Sequence, residues 1–321
     1  MAVGTGRGGR GWGALIGLAL VVMPLWAGGD PLTLVCAPIA LVMLALPPRR
    51  VPQLALALVA ILLAAPTLGG TRQALWVMNG LWPALLAGWF VLAVYGLPRA
   101  SLTMRALAAI GATAGTMGVL AIFRPDLLRS ADATVAAALK AATAANVATL
   151  KTLGVQVTPA AVEAFGRGAA IQSFLTPACA ALASLAALAL AWWIYRRTVA
   201  AGERPLAPIR EFRFRDELVW FVVAGILLVV IPDLGAGALR VGSNLLTFMG
   251  ALYALRGVAV LVALAGGGMS AGGIVLTALL AVLVPPVVMA ATVMVGLTDT
   301  WLDLRARMTR TGGPGNDGVI R

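Results

Sequence analysis

The chain has 321 residues, 61% of them apolar and only 11% charged, with a mean hydropathy of +0.96. That is more apolar surface than a soluble core encloses, so a soluble globular fold is excluded. The formal charge of +12 does not point to nucleic acid: the arginines sit in short clusters between apolar stretches, with no aromatic interleaving and no separate basic domain, and read as positive-inside topology signals. Histidine is absent, which removes the commonest general base and the commonest haem and zinc ligand. Cys36 and Cys179 lie inside apolar stretches and imply neither a disulfide nor a metal site. No catalytic residue, cofactor or metal is assigned, and the chain reads as a non-enzyme in a lipid bilayer.

In lipid, backbone polar groups must pair within the protein, which leaves helices or a closed barrel. The apolar stretches here are continuous and of the length that crosses a bilayer as helix. The expected fold is all-α, a polytopic transmembrane bundle of about eight to nine apolar segments.

The first stretch, Trp12 to Trp26, follows a glycine-rich start carrying Arg7 and Arg10; no small-residue cleavage site follows, so it reads as an uncleaved span. Leu32 to Leu46 is short and ends on Pro47-Pro48-Arg49-Arg50. Val51 to Leu68, Ala74 to Leu97 and Met104 to Phe123 follow. Hydropathy then drops from Arg124 to Gly168, where Ser130 or Asp132 caps a helix that stops at Gly154. Its weak apolar face of Val135, Leu139, Ala142, Leu150 and Leu153 suits a membrane surface or the side of the bundle. Thr158-Pro159 reads as an N-cap with proline at the first helical position, starting a helix that runs toward the next span. That span, Ala169 to Tyr195, closes on Trp192, Trp193, Tyr195, Arg196 and Arg197. Arg196 to Asp216 is the most charged connection. Leu218 to Ile231 and Val241 to Ala265 come next; after Gly266-Gly267-Gly268, a last stretch from Gly272 to Leu297 is interrupted by Pro285-Pro286. The chain thus divides into residues 1–123 (five N-terminal helices), 124–168 (an extracytoplasmic amphipathic segment), 169–297 (C-terminal helices) and 298–321 (a polar tail).

Arg7/Arg10, Arg49/Arg50, Arg99/Arg105 and the Arg196 to Arg215 cluster fall on alternate connections, which predicts a bacterial cytoplasmic membrane protein with its N-terminus inside. The same count puts the tail, with Arg305, Arg307 and Arg310, outside. Either the tail is tolerated there or one element does not cross, and a re-entrant last stretch is the slightly preferred resolution.

Polar groups inside apolar spans are costly and need a partner or a purpose. Arg256 reads as snorkelling or as pairing with the tail carboxylates. Asp299 and Asp303 share a helix face, with Arg307 four residues further on. The expected cluster is Arg256, Asp299, Asp303 and Arg307 at the cytoplasmic side, tied to the re-entrant topology. Asn79, between Trp76 and Trp82, is the candidate ligand-binding residue; an interhelical hydrogen bond in an aromatic layer is at least as good a reading. Gly13/Gly17 and Gly111/Gly115 are small-residue pairs suited to close helix packing, and alanine and serine repeat the spacing along Ala180 to Ala191.

The segments Phe212-Arg-Phe-Arg-Asp-Glu-Leu-Val-Trp220, Asn244-Leu-Leu, Tyr253-Ala-Leu-Arg-Gly257, Pro285-Pro286 and Gly296-Leu-Thr-Asp299-Thr-Trp-Leu-Asp303-Leu-Arg305 together resemble the YybS-like family of bacterial membrane proteins (domain of unknown function 2232). That family is remotely similar to the substrate-binding S components of energy-coupling-factor transporters. The resemblance implies a solute-binding transporter component, with Gly13, Ala14 and Gly17 on the first span docking a membrane coupling subunit. A homo-oligomer is the other expected partner. The competing reading is a non-transporting scaffold or assembly factor, because intramembrane polar groups are sparse.

Overall fold

The computed structural model describes residues 31–47, 51–68, 77–199, 211–264 and 285–304. The first stretch, Trp76 and Arg307 therefore lie outside the described residues. In chain order the helices are α1 (Pro31–Ala45), α2 (Val51–Leu68), α3 (Trp82–Gly96, entered through a π turn at Val77–Leu81), α4 (Leu102–Phe123), α5 (Pro125–Thr152), α6 (Pro159–Val199), α7 (Val219–Val230), α8 (Gly235–Leu264) and α9 (Pro285–Leu302). Short 3-10 turns at Asp216–Leu218 and Pro232–Leu234 lead into α7 and α8.

Local chemistry explains several boundaries. Ser101 caps α4, its hydroxyl accepting from the Met104 N–H at 3.3 Å. Gly154 takes a φ of +79° just beyond α5, a conformation that costs glycine nothing. Thr158 accepts from the Ala161 N–H at 3.2 Å, and Pro159 opens α6. That helix has 41 residues, about 60 Å at the α-helical rise, so it runs without a break through the 168/169 boundary drawn on hydropathy.

Five described helices are long and apolar enough to cross a membrane: Val77–Gly96, Leu102–Phe123, Pro125–Thr152, Pro159–Thr198 and Pro232–Leu264. Leu32–Ala45, Val51–Leu62 and Val287–Leu302 are shorter apolar helices. Two helices differ from the expected segments: α5 qualifies as a candidate span despite its charges because alanine keeps an apolar window in it, and the stretch expected to cross after Asp216 forms a helix of only 12 residues, about 18 Å long.

α6 is the axis of the bundle. Ala183, Ser184, Ala187, Leu188 and Ala191 are fully buried, and these small residues let α1 and α3 close onto it with Leu34, Val42, Met43, Leu86 and Phe90, also fully buried. At one end of this core the Tyr95 hydroxyl donates to the Ala45 carbonyl at 2.8 Å, and the Tyr195 hydroxyl donates to the Pro47 carbonyl. Arg105 donates to the carbonyls of Leu97 and Pro98 at 3.0 and 2.5 Å and lies over the Trp192 ring; Arg197 lies over Trp193. The ends of α1, α3 and α6 and the start of α4 therefore share one basic, aromatic end.

Candidate functional site: polar contacts along α8

Arg240, Asn244 and Arg256 on α8 each join it to a different part of the bundle. Near its start, Arg240 donates through both terminal nitrogens to the two carboxylate oxygens of Asp132 on α5, at 2.5 and 2.8 Å. Both are partly exposed, and the two parallel bonds fix their geometry.

One turn on, Asn244 meets α6 at Pro177. Proline has no N–H, so the Ser173 carbonyl four residues back loses its helical donor, and the ring crowds the turn that holds Phe174 and Ala178. The Asn244 side-chain oxygen accepts from Ala178 N–H at 2.9 Å, and its amide nitrogen donates to Phe174 O at 2.9 Å and to Arg240 O at 2.8 Å. One primary amide thus bonds backbone groups on both sides of the proline, the kind of support a neighbouring helix gives where proline interrupts a helix in an apolar medium.

Three turns further, Arg256 is fully buried. Its Nε donates to Asp299 Oδ2 on α9 at 2.9 Å and its Nη1 to Asp216 Oδ1 at the entrance to α7 at 2.7 Å. Asp299 is also fully buried, whereas the Asp216 side chain is 49% exposed. The guanidinium lies over the Phe214 ring, which packs edge-on against Tyr253. Asp303 is not part of this contact. It pairs with Arg213 at 3.1 Å, because it stands past the last helical turn with a φ of +42° and its side chain leaves the line of Asp299. Next to it Arg215 and Glu217 form a two-bonded pair at 3.1 and 2.9 Å on the surface, and these bonds hold the Glu217 carboxyl down at about 2.

Backbone proximity makes the Arg256 contact possible. A Cβ on Gly257 would overlap the Thr292 carbonyl, and one on Gly296 would overlap the Tyr253 carbonyl. Since Tyr253 meets Gly296 while Gly257 meets both Thr292 and Gly296, α8 and α9 run antiparallel in direct backbone contact. Gly225 and Gly242 do the same for α7 and α8, where an added Cβ on Gly242 would sit 2.9 Å from the Gly225 carbonyl. The glycines expected at tight packing behave otherwise: a Cβ on Gly111 or Gly115 meets nothing within 4 Å among the described residues. Gly13 and Gly17 lie outside the described residues.

Asn79 stands half-buried in the π turn before α3. Trp82 is drawn into the bundle, its indole N–H donating to Ser184 on α6 at 2.9 Å. Two grooves occur elsewhere. One of about 520 Å³ lies between α6 and α8, lined by Ile171, Phe174, Ser243 and Thr247. The other, about 600 Å³, lies between α5 and α6, lined by Asn146, Thr149, Phe165 and Gln172. Asn79 lines neither.

The segments quoted from Phe212 to Arg305 contain most of these contacts: Asp216, Asn244, Arg256, Gly257, Gly296, Asp299 and Asp303. The family described as "Predicted membrane protein (DUF2232)" matches residues 14–300. The chain belongs to this family. No curated protein and no solved structure matches it. In this DUF2232 protein, the sequence alone marks Arg256 and Asp299 as costly in an apolar span, but Asp216 passes for one of many loop charges. Asn244 and Pro177 are each out of place in apolar stretches, and that shared oddity is the signal that pairs them.

Proposed function

We propose that this DUF2232 protein is a non-catalytic membrane scaffold, in which intramembrane polar side chains bind helices to one another and not a solute. One observation carries the reading: Arg256, Asn244 and Trp82 are each spent on contacts between helices, to Asp216 and Asp299, to the Pro177 break and to Ser184. Ion-coupled carriers keep such groups available around a midplane site. The basic, aromatic end containing Arg105, Arg196 and Arg197 is assigned to the cytoplasmic side of a bacterial inner membrane, following the positive-inside rule.

A second reading, a solute-binding component similar to S components with a coupling subunit as partner, draws support from the groove between α5 and α6. Its mixed lining of Thr143, Asn146, Thr149, Phe165 and Gln172 has the character of a small-molecule site. Native mass spectrometry of protein purified in mild detergent separates the two. The scaffold reading expects the polypeptide mass with lipid adducts alone; a stoichiometric polar solute whose retention is lost in Asn146→Leu would replace it with the second reading.

A further inference from the structure

The stretch from Glu211 to Glu217 joins the arginine-rich connection after α6 to the 3-10 turn that leads into α7, and from Phe212 to Arg215 its side chains alternate. Phe212 is half-buried and Phe214 buried, while Arg213 and Arg215 are exposed. That is the period of an extended ribbon laid over a packed surface. The ribbon is fastened at three points: Phe214 against Tyr253 with ring centroids 5.2 Å apart, Arg213 on Asp303 at the end of α9, and Asp216 on Arg256 in α8.

These fastenings are unequal. Arg213 and Asp303 are each close to half exposed, so water and salt compete for that pair. Asp216 is likewise half exposed, whereas Asp299 is completely buried. If Asp216 leaves, Arg256 keeps its bond to Asp299 and the buried charge remains neutralised. If Asp299 leaves, a buried arginine loses its only buried counter-charge among the described residues. The Arg256–Asp216 contact can therefore break while the α8–α9 contact persists.

We propose that residues 211–217 form a releasable strap, latched by Asp216 onto Arg256, that opens as a unit while α8 and α9 stay joined through Arg256 and Asp299. The strap links the arginine-rich connection mechanically to the last helix: closed, it pins the end of α9 through Asp303; open, it frees the Phe-Arg-Phe-Arg ribbon and unloads α9. This inference does not depend on the scaffold reading.

The strap carries its own probe, because trypsin can cut the Arg213–Phe214 bond only after Phe214 leaves Tyr253. In full-length protein in detergent, the cutting rate there follows the open population. Loss of a charge-assisted bond in Asp216→Asn should speed that cut by roughly ten-fold or more, with cutting after Arg256 inside α8 unchanged. Asp216→Glu, which keeps the carboxylate, should restore protection, and Asp299→Asn should open both sites together. An Asp216→Asn protein cut after Arg213 at the wild-type rate, or cut after Arg213 and Arg256 with equal acceleration, would overturn the strap.

Discussion

Arg256 and Asp299 are both completely removed from solvent and bond to each other at 2.9 Å between two helices whose backbones touch at Gly257 and Gly296. In an apolar bundle such a pair is costly to separate although its net contribution is modest, because Asp299 left alone is a buried carboxylate without its arginine, and Arg256 left alone keeps, among the described residues, only the half-exposed Asp216. Arg256→Met or Asp299→Leu alone should therefore lower unfolding stability by about 3–5 kcal/mol. The combined Arg256→Met/Asp299→Leu protein should be more stable than either single variant, as read by denaturant titration in detergent. A double variant no better than the worse single would mean that the pair does not act as a unit.

Close packing at glycine gives a sharper contrast. Gly257→Ala and Gly296→Ala each place a methyl group into a carbonyl of the facing helix, so both should cost at least about 1–3 kcal/mol by forcing α8 and α9 apart. Gly111→Ala and Gly115→Ala meet nothing within 4 Å among the described residues and should be neutral or stabilising by up to about 1 kcal/mol, the ordinary helix preference for alanine. Melting temperatures of the four variants, measured side by side, check this, and equal effects at all four positions would be inconsistent with the α8–α9 contact.

The orientation proposed for the bundle has a direct readout. Cys36 and Cys179 are both buried, so a single introduced cysteine gives a clean signal. In intact cells, an impermeant thiol reagent should label Val155→Cys, between α5 and α6, and leave Ala100→Cys, at the basic end, unmodified until the membrane is opened. The reverse pattern would invert the topology.

How much of this was legible beforehand follows from what each residue has to do. The apolar stretches and the cap at Thr158-Pro159 depend on local chemistry, and among the described residues helices stand where composition placed them. Helix lengths were harder, because hydropathy falls wherever charges accumulate: Asp126, Asp132, Lys140 and Lys151 lower it along α5, while its alanines keep the helix continuous from Pro125 to Thr152. Arg256 and Asp299 announced themselves by cost, and Asp303 was misplaced beside them because one residue past the helix end changes direction. Asp216 was hidden among neighbours of like composition, since nothing local distinguishes a loop carboxylate that turns inward. Gly111 and Gly115 show the converse: spacing alone does not say which helix face meets a neighbour, and Gly257 and Gly296, which do meet, are 39 positions apart in sequence.

That polar side chains hold this bundle together is tested most directly where Asn244 binds α6 on both sides of Pro177. Asn244→Leu removes the bonds to the Ala178 N–H and the Phe174 carbonyl in a turn that the proline crowds, which should lower unfolding stability by about 1–3 kcal/mol. With Pro177→Ala, that turn of α6 regains the full set of helical bonds, and the same Asn244→Leu change should then cost at least about 1 kcal/mol less. The measurement is the double-mutant cycle of Asn244→Leu and Pro177→Ala by denaturant unfolding in detergent. The account predicts that clear positive coupling; additivity of the two changes to within about 0.3–0.5 kcal/mol would contradict it.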